Sequence, residues 1–303
     1  MKTVAIIQAR MGSSRLPGKV LRRVGSQAVL THVLTRAKAI PGVHEVHVTT
    51  TPQRADDAIA ARCRGAGVGW TRGQVPMANG KNDVLAGYVA AAKATGADVI
   101  VRLTADCPLL DPAVAGRVLH DVVVNRADYA SNVNPPTLYD GCDVEAFTWH
   151  TLWSADKHAG PTEREHVTTW MRRHAESRYN YAEDSGDWSG IKLSVDTLKD
   201  LERVRRVWKL LPQPFGWRDV VRAYRQAYPP KILARARRIY GKGSPQVDEY
   251  LRGAYVAALD QRLPASASRI SVIGYEDVAE LGHGISDDDV AALRDLLNSP
   301  VSR

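Results

Sequence analysis

Only three of the 303 residues are cysteine, Cys63, Cys107 and Cys142, and they form no C-x-x-C pair. That excludes a disulfide framework and a zinc ribbon, and it suits a reducing compartment. Long apolar runs are missing as well: none has the length of a bilayer-crossing helix, so no membrane partner is expected. The apolar run at residues 3–7 is too short for a signal peptide, and no small-residue cleavage pattern follows it. There is no internal repeat and no low-complexity tract. A G-x-S-x-G serine elbow is absent, and His32, His44, His47 and His150 lack metal-ligand spacing. The composition, 44% apolar and 24% charged, is that of an ordinary globular chain. A cytoplasmic protein is the expectation.

What the chain has in excess is positive charge, a net +8, with clusters at residues 10–23, 203–206 and 231–238. A basic surface is either a solvated helix face or a seat for an anion. No helix-turn-helix, zinc-finger or RNP-type aromatic pattern accompanies it, so nucleic acid is not the expected partner. The first cluster differs from the others in lying within a glycine-containing loop.

β-branched runs at residues 3–7, 43–49 and 98–103 alternate with helical patterns at 30–39, 56–66 and 84–93. Asp111-Pro112 reads as an N-cap followed by a first-turn proline. The alternation predicts a three-layer α/β fold with a mostly parallel sheet, whose ligands bind at the carboxyl ends of strands. The loops after Ile7 and Leu103 are therefore where chemistry belongs. Residues 132–190 are irregular. A strand is predicted at 191–195, and Thr197 caps a helix at 198–210. Tyr228-Pro229-Pro230 reads as a boundary, dividing a domain at 1–230 from a mainly helical extension at 231–303, with helices at 232–263 and 290–297.

The loop Gln8-Ala9-Arg10-Met11-Gly12-Ser13-Ser14-Arg15-Leu16-Pro17-Gly18-Lys19 combines glycines, hydroxyls and three spaced cations behind a buried-type strand. Such a loop lets backbone N–H groups approach an anion while arginine and lysine neutralise it. It is neither a Walker A loop, since Val20 follows Lys19, nor a G-x-G-x-x-G fingerprint. Asp106 and Asp196 both stand at the ends of predicted strands, on the loop's side of the sheet, where two carboxylates suit a Mg²⁺ carrying phosphate oxygens; each alone is equally well read as a cap or turn residue.

The stretch from Ala5 to Lys19 resembles the opening motif of the cytidylyltransferase family, in particular the branch of the spore-coat polysaccharide SpsF type, related to synthetases that activate Kdo and sialic acid. The similarity recurs in order at Asn82-Asp83-Val84-Leu85, at residues 102–112, at residues 140–145, at Arg164-Glu165-His166-Val167-Thr168 and at Ser194-Val195-Asp196-Thr197. The resemblance implies a nucleotide-diphospho-sugar transferase (GT-A-like, Rossmann-like) fold, Mg²⁺ as cofactor, and CTP (or another nucleoside triphosphate) and an anionic small-molecule acceptor as partners, in a homodimer. It implies nucleotide binding by Gln8, Ala9, Arg10, Met11, Gly12, Ser13, Ser14, Arg15, Lys19, Asp83, Arg102 and Thr104. Arg10, Arg15, Lys19 and Asp106 would be catalytic, with Asp106 and Asp196 on the metal.

On the acceptor side stand Asp143, Glu145, Arg164, Glu165 and His166. The first two alternate along a probable strand and share a face, either lining the acceptor or forming an exposed edge. Arg164, Glu165 and His166 begin a helix, where Arg164 could pair an acceptor carboxylate or phosphate, and where His166 is a candidate general base although a histidine at a helix start is more often a packing or capping residue. Asp111 is assigned to capping and Cys107 to packing. Three departures from the family stand out. Residues 74–80 make a longer loop before Asp83, Gly87 replaces an arginine of the Asp-Val-Leu-x-Arg pattern, and the tail beyond Pro230 has no counterpart. A nucleotidyltransferase of other specificity, or a non-catalytic nucleotide- or nucleic-acid-binding protein, is the alternative.

Overall fold

The computed structural model describes residues 1–78, 80, 82–183 and 186–228. In chain order its main elements are β1 (Thr3–Gln8), α1 (Val29–Lys38), β2 (Glu45–Thr49), α2 (Asp57–Gly65), β3 (Gly69–Thr71), α3 (Val84–Thr95), β4 (Val99–Thr104), α4 (Pro112–Val123) and β5 (Tyr129–Ser131). There follow β6 (Glu145–Thr148), α5 (Trp149–His158), α6 (Pro161–His166), α7 (Thr169–His174), β7 (Arg178–Asn180), α8 (Leu198–Trp208) and α9 (Trp217–Ala227). The chain divides into two compact units, Met1–Ala223 and Tyr224–Arg303. The helices predicted at 232–263 and 290–297 lie outside the described residues.

The seven strands pair in the order β7-β5-β6-β4-β1-β2-β3. All adjacent pairs are parallel except the two made by β6. β1 is buried on both faces, as the centre of a parallel sheet must be. Ala5 and Ile7 pack with α1, α2 and α4, while Val4 and Ile6 pack with α3, α5 and α7. Three layers result, and each fully buried Ile, Leu or Val contributes about 1.5–3 kcal/mol. The register then does something useful: Gln8 pairs Thr49 on one side and Thr104 on the other. The carboxyl ends of three central strands form one level edge.

The termini of the elements follow their caps. The Asp111 carboxylate accepts from the N–H groups of Ala113 and Val114 with Pro112 in the first turn, as the sequence predicts. Thr197 and Asp200 cap α8 reciprocally. The predicted strand at 191–195 is not one. It is an extended segment with a single bridge, Asp140 to Lys192, because its N–H groups go to two different loops. Leu193 donates to Asp140 O at 2.7 Å and Val195 to Asp106 O at 2.9 Å. The helix expected to start at Arg164 instead ends two residues later: Pro161 opens α6 and Glu163 accepts from the Gly160 N–H at 2.8 Å. Among the described residues no helix is long and apolar enough to cross a membrane.

Candidate active site

At the level edge opens a cleft of roughly 270 Å³. Its wall comes from the loop (Gln8, Ala9, Arg10, Ser13, Ser14, Arg15, Lys19), the end of β4 (Arg102, Thr104, Asp106), α6 (Glu165, His166) and Gln74. The loop owes its course to Asp56. This buried carboxylate accepts from the Met11 N–H at 2.7 Å, from the Thr50 hydroxyl at 3.0 Å and from the Thr51 N–H at 3.1 Å. Gly18, at φ 67°, donates back to Met11 O at 3.0 Å, and Leu16 and Val20 sink into the protein. What stays outside is Arg10, Gly12, Ser14 and Arg15, all exposed. The N–H groups of Gly12 and Ser14 have no partner among the described residues. Anchored below and free above, the loop fits an anion.

Facing it, Asp106 and Asp196 converge on one cation. Lys19 Nζ lies 2.5 Å from Asp106 Oδ2 and 2.9 Å from Asp196 Oδ1. Arg15 reaches the same Asp196 oxygen at 2.9 Å, and Lys192 bridges Asp196 Oδ2 at 2.9 Å to Asp140 Oδ2 at 3.0 Å. Burial works against the charge of Lys19, but the charges and hydrogen bonds of Asp106 and Asp196 outweigh it and raise its pKa. Burial likewise works against the charge on Asp196, yet Lys19 and Lys192 bring its pKa down to about 2. Two hard oxygen donors sharing one cation position are a donor set that suits a divalent ion completed by phosphate oxygens and water. The residues present fit such an ion, and no cluster of three or more ligating side chains exists among the described residues.

The remaining expected residues divide. Met11 and Gly12 lie in the loop without lining the cleft. Asp83 caps α3 through the Ala86 N–H and binds Arg164 Nε at 2.6 Å, while Arg164 also holds Asp156 at 2.7 Å; both are occupied with one another. Arg102 lines the cleft, but its Nη1 sits 2.5 Å from Glu145 Oε2. Glu145 is 1% exposed and also takes Arg172 at 2.7 Å and the Tyr129 hydroxyl at 2.5 Å. It is an internal counter-ion, and it shares no strand with Asp143, since β6 starts at Glu145. Asp143 is half-buried with no hydrogen-bond or ion-pair partner among the described residues. Burial and then its neighbour Asp140 push its pKa up to about 7. The Cys107 thiol is buried and pushed far up by burial and Asp106, which agrees with packing rather than nucleophilic duty.

Glu165 and His166 reach the cleft from a tight corner. Thr168 N donates to His166 O at 2.7 Å across Val167, whose φ of 64° and ψ of −61° define a strained γ-turn. Such a conformation at a β-branched residue costs on the order of 1–3 kcal/mol. Val167 is fully buried in the core beside Val4 and Ile6, and that burial holds the turn. Three participants escaped the sequence reading. Asp56 looked like an ordinary helix start. Lys192 alternates with Ser194 and Asp196 on one extended segment, a signal available in the pattern. Gln74 gave none beyond its unusually long loop.

Residues 4–225 match the cytidylyltransferase family. A solved cytidylyltransferase from Leptospira borgpetersenii serovar Hardjo-bovis superposes with a TM-score of 0.68 at 31% identity, covering 75% of this chain and 94% of that one. The spore coat polysaccharide biosynthesis protein SpsF of Bacillus subtilis is 30% identical over 211 residues, 67% of this chain and 85% of its own. A 3-deoxy-manno-octulosonate cytidylyltransferase of Maricaulis maris is 33% identical over 146 residues, 48% of this chain and 53% of its own.

Proposed function

The chain belongs to the cytidylyltransferase family of nucleotidyltransferases, and from that premise we propose that it transfers the cytidylyl group of CTP to a hydroxyl of an acidic sugar. One observation carries the reading: Lys19 of the phosphate-type loop lies between the carboxylates of Asp106 and Asp196, so cation, anion seat and metal donors meet at one point. The acceptor oxygen attacks the α-phosphorus, its bond to phosphorus forms as the α–β bridging bond breaks, and pyrophosphate leaves. The hydroxyl proton goes to solvent.

Arg10, Arg15 and Lys19 would neutralise the triphosphate, with the free loop N–H groups of Gly12 and Ser14 adding fixed dipoles. Asp106 and Asp196 would hold Mg²⁺, which when bound offsets charge on the reacting phosphate. Lys19 and Arg15 then exchange carboxylate partners for phosphate oxygens, and their side chains are already poised at the cleft. Glu165 and His166 would face the acceptor. Its acidity is the expectation taken from the Maricaulis maris relative, whose name specifies an octulosonate.

The test is pyrophosphate release with CTP, UTP, ATP and GTP against a panel of sugar acids, with Mg²⁺ supplied or chelated. Release with CTP and one acid, dependent on Mg²⁺ and lost in Asp106→Ala, is the expected result. Before an acceptor is known, nucleotide binding can be read as thermal stabilisation, roughly 2.7 kcal/mol at a hundredfold excess over Kd. Equal stabilisation by all four nucleotides would refute the assignment of the base.

A further inference from the structure

Gln74 borders the cleft yet is only 2% exposed. Its Nε2 donates to the Thr49 carbonyl at 2.7 Å, and its own N–H donates to Thr50 O at 3.2 Å. The Thr49 carbonyl also accepts from the Ala9 N–H at 3.0 Å. A carbonyl can only accept, so chemistry fixes which way the amide points: nitrogen toward Thr49, oxygen away from it. That oxygen has no hydrogen-bond partner among the described residues. An acceptor left open on a residue that lines the cleft calls for a donor on whatever binds there.

The surroundings are shaped to hold this one side chain. A Cβ on Gly87 would fall 2.6 Å from Gln74 Cγ and 2.7 Å from Thr49 Oγ1. A Cβ on Gly73 would fall 2.6 Å from Ala90 Cβ and 3.1 Å from Gly87 Cα. Two glycines thus let the backbone before Gln74 lie directly on α3, and the stem of Gln74 fills the space that any side chain at position 87 would need.

We propose that Gln74 is the specificity-determining residue for the nucleobase, its Oε1 accepting from an exocyclic amine. The inference rests on the cytidylyl-transfer reading and deepens it. Cytosine carries an amine where uracil carries an oxygen, so uracil would meet Oε1 acceptor against acceptor. Flipping the amide does not rescue it, because the flip sets Oε1 against the Thr49 carbonyl and breaks the bond that Nε2 makes. Discrimination therefore originates in a backbone carbonyl of β2 that need not touch the ligand.

The experiment measures Mg²⁺-supported binding of CTP, of UTP and of a CTP analogue with hydrogen in place of the 4-amine, to the full chain and to Gln74→Met. The full chain is expected to favour CTP over both others by roughly tenfold or more, the scale of one hydrogen bond to a buried group. In Gln74→Met the three should bind within roughly twofold of one another. The analogue arm on the unaltered chain holds even if the variant folds poorly. A CTP preference that survives in Gln74→Met overturns the assignment and leaves the nucleotide reading standing. Equal binding of the three by the unaltered chain overturns it too. Binding of none removes the nucleotide reading itself, and Gln74's role with it.

Discussion

Two clusters of cations and carboxylates stand at the same sheet edge, and they differ in how far water reaches the carboxylates. In the first, Arg15, Lys19 and Lys192 surround Asp106 and Asp196 at the open cleft, with side chains from 14% to 63% exposed. In the second, Arg102 and Arg172 enclose Glu145, whose side chain is 1% exposed. Burial opposes the charge on Glu145, but Arg102 and Arg172 outweigh it and hold its pKa low. At the open cluster, water or an arriving ion can take the place of a partner that a carboxylate gives up, because Asp106 and Asp196 stay within reach of solvent. Around Glu145 nothing can do so, because separating the pairs strands its buried carboxylate in low dielectric. The same residue types therefore leave two carboxylates open to the cleft in one place and lock a third away in the other.

The contrast breaks hardest at Glu145. Glu145→Ala is expected to destabilise the fold by about 1–3 kcal/mol in chemical denaturation, by leaving the half-buried Arg102 and the Tyr129 hydroxyl without the carboxylate they bond. A loss under about 1 kcal/mol would place Glu145 among the open pairs instead. At the open cluster the pattern inverts. Asp106→Asn should change stability by no more than about 1 kcal/mol while lowering turnover roughly a hundredfold or more. Parallel losses in both quantities would erase the distinction.

Two smaller effects concern pH. The folded pKa of Asp196, about 2, lies below its ordinary 3.8. Its contribution to stability is thus complete above about pH 4 and is lost as pH falls toward 2. Asp196→Asn should flatten that part of the acid limb in pH-dependent melting, and an unaltered limb counts against the pairing with Lys19 and Lys192. Asp143 runs the other way. Its pKa is about 7 in the folded chain against an ordinary 3.8, so stability should decline as pH rises between those values. Replacing it by asparagine should remove the slope.

The frame was largely legible. The β-branched apolar runs of β1 and β4, the Asp111-Pro112 cap and the reciprocal cap at Thr197 are local signals, and local physics decides them. The loop at 8–19 stood out in the sequence because its glycines and cations are contiguous. What sequence could not show was that Arg102 and Glu145 pair with each other. Their spacing in the chain says nothing of their facing each other across β4 and β6, and an arginine that braces looks like an arginine that binds. The segment at 191–195 failed as a strand for a related reason. Its apolar pattern requires burial, which Leu193 and Val195 obtain, but hydrogen bonding to two separate loops satisfies its backbone without a sheet. Gln74 was hidden because its significance depends on Thr49 and Gly87, neither near it in sequence.

The corner at Val167 has a consequence for how such a protein can diversify. Glu165 and His166 hang into the cleft from an anchor whose position is set by the volume of the core, two residues from the tips that meet solvent and ligand. Mutation at 165 or 166 therefore alters chemistry without having to solve the backbone path again. On the reading proposed above, acceptor preference can then drift while the frame that delivers those side chains is kept whole.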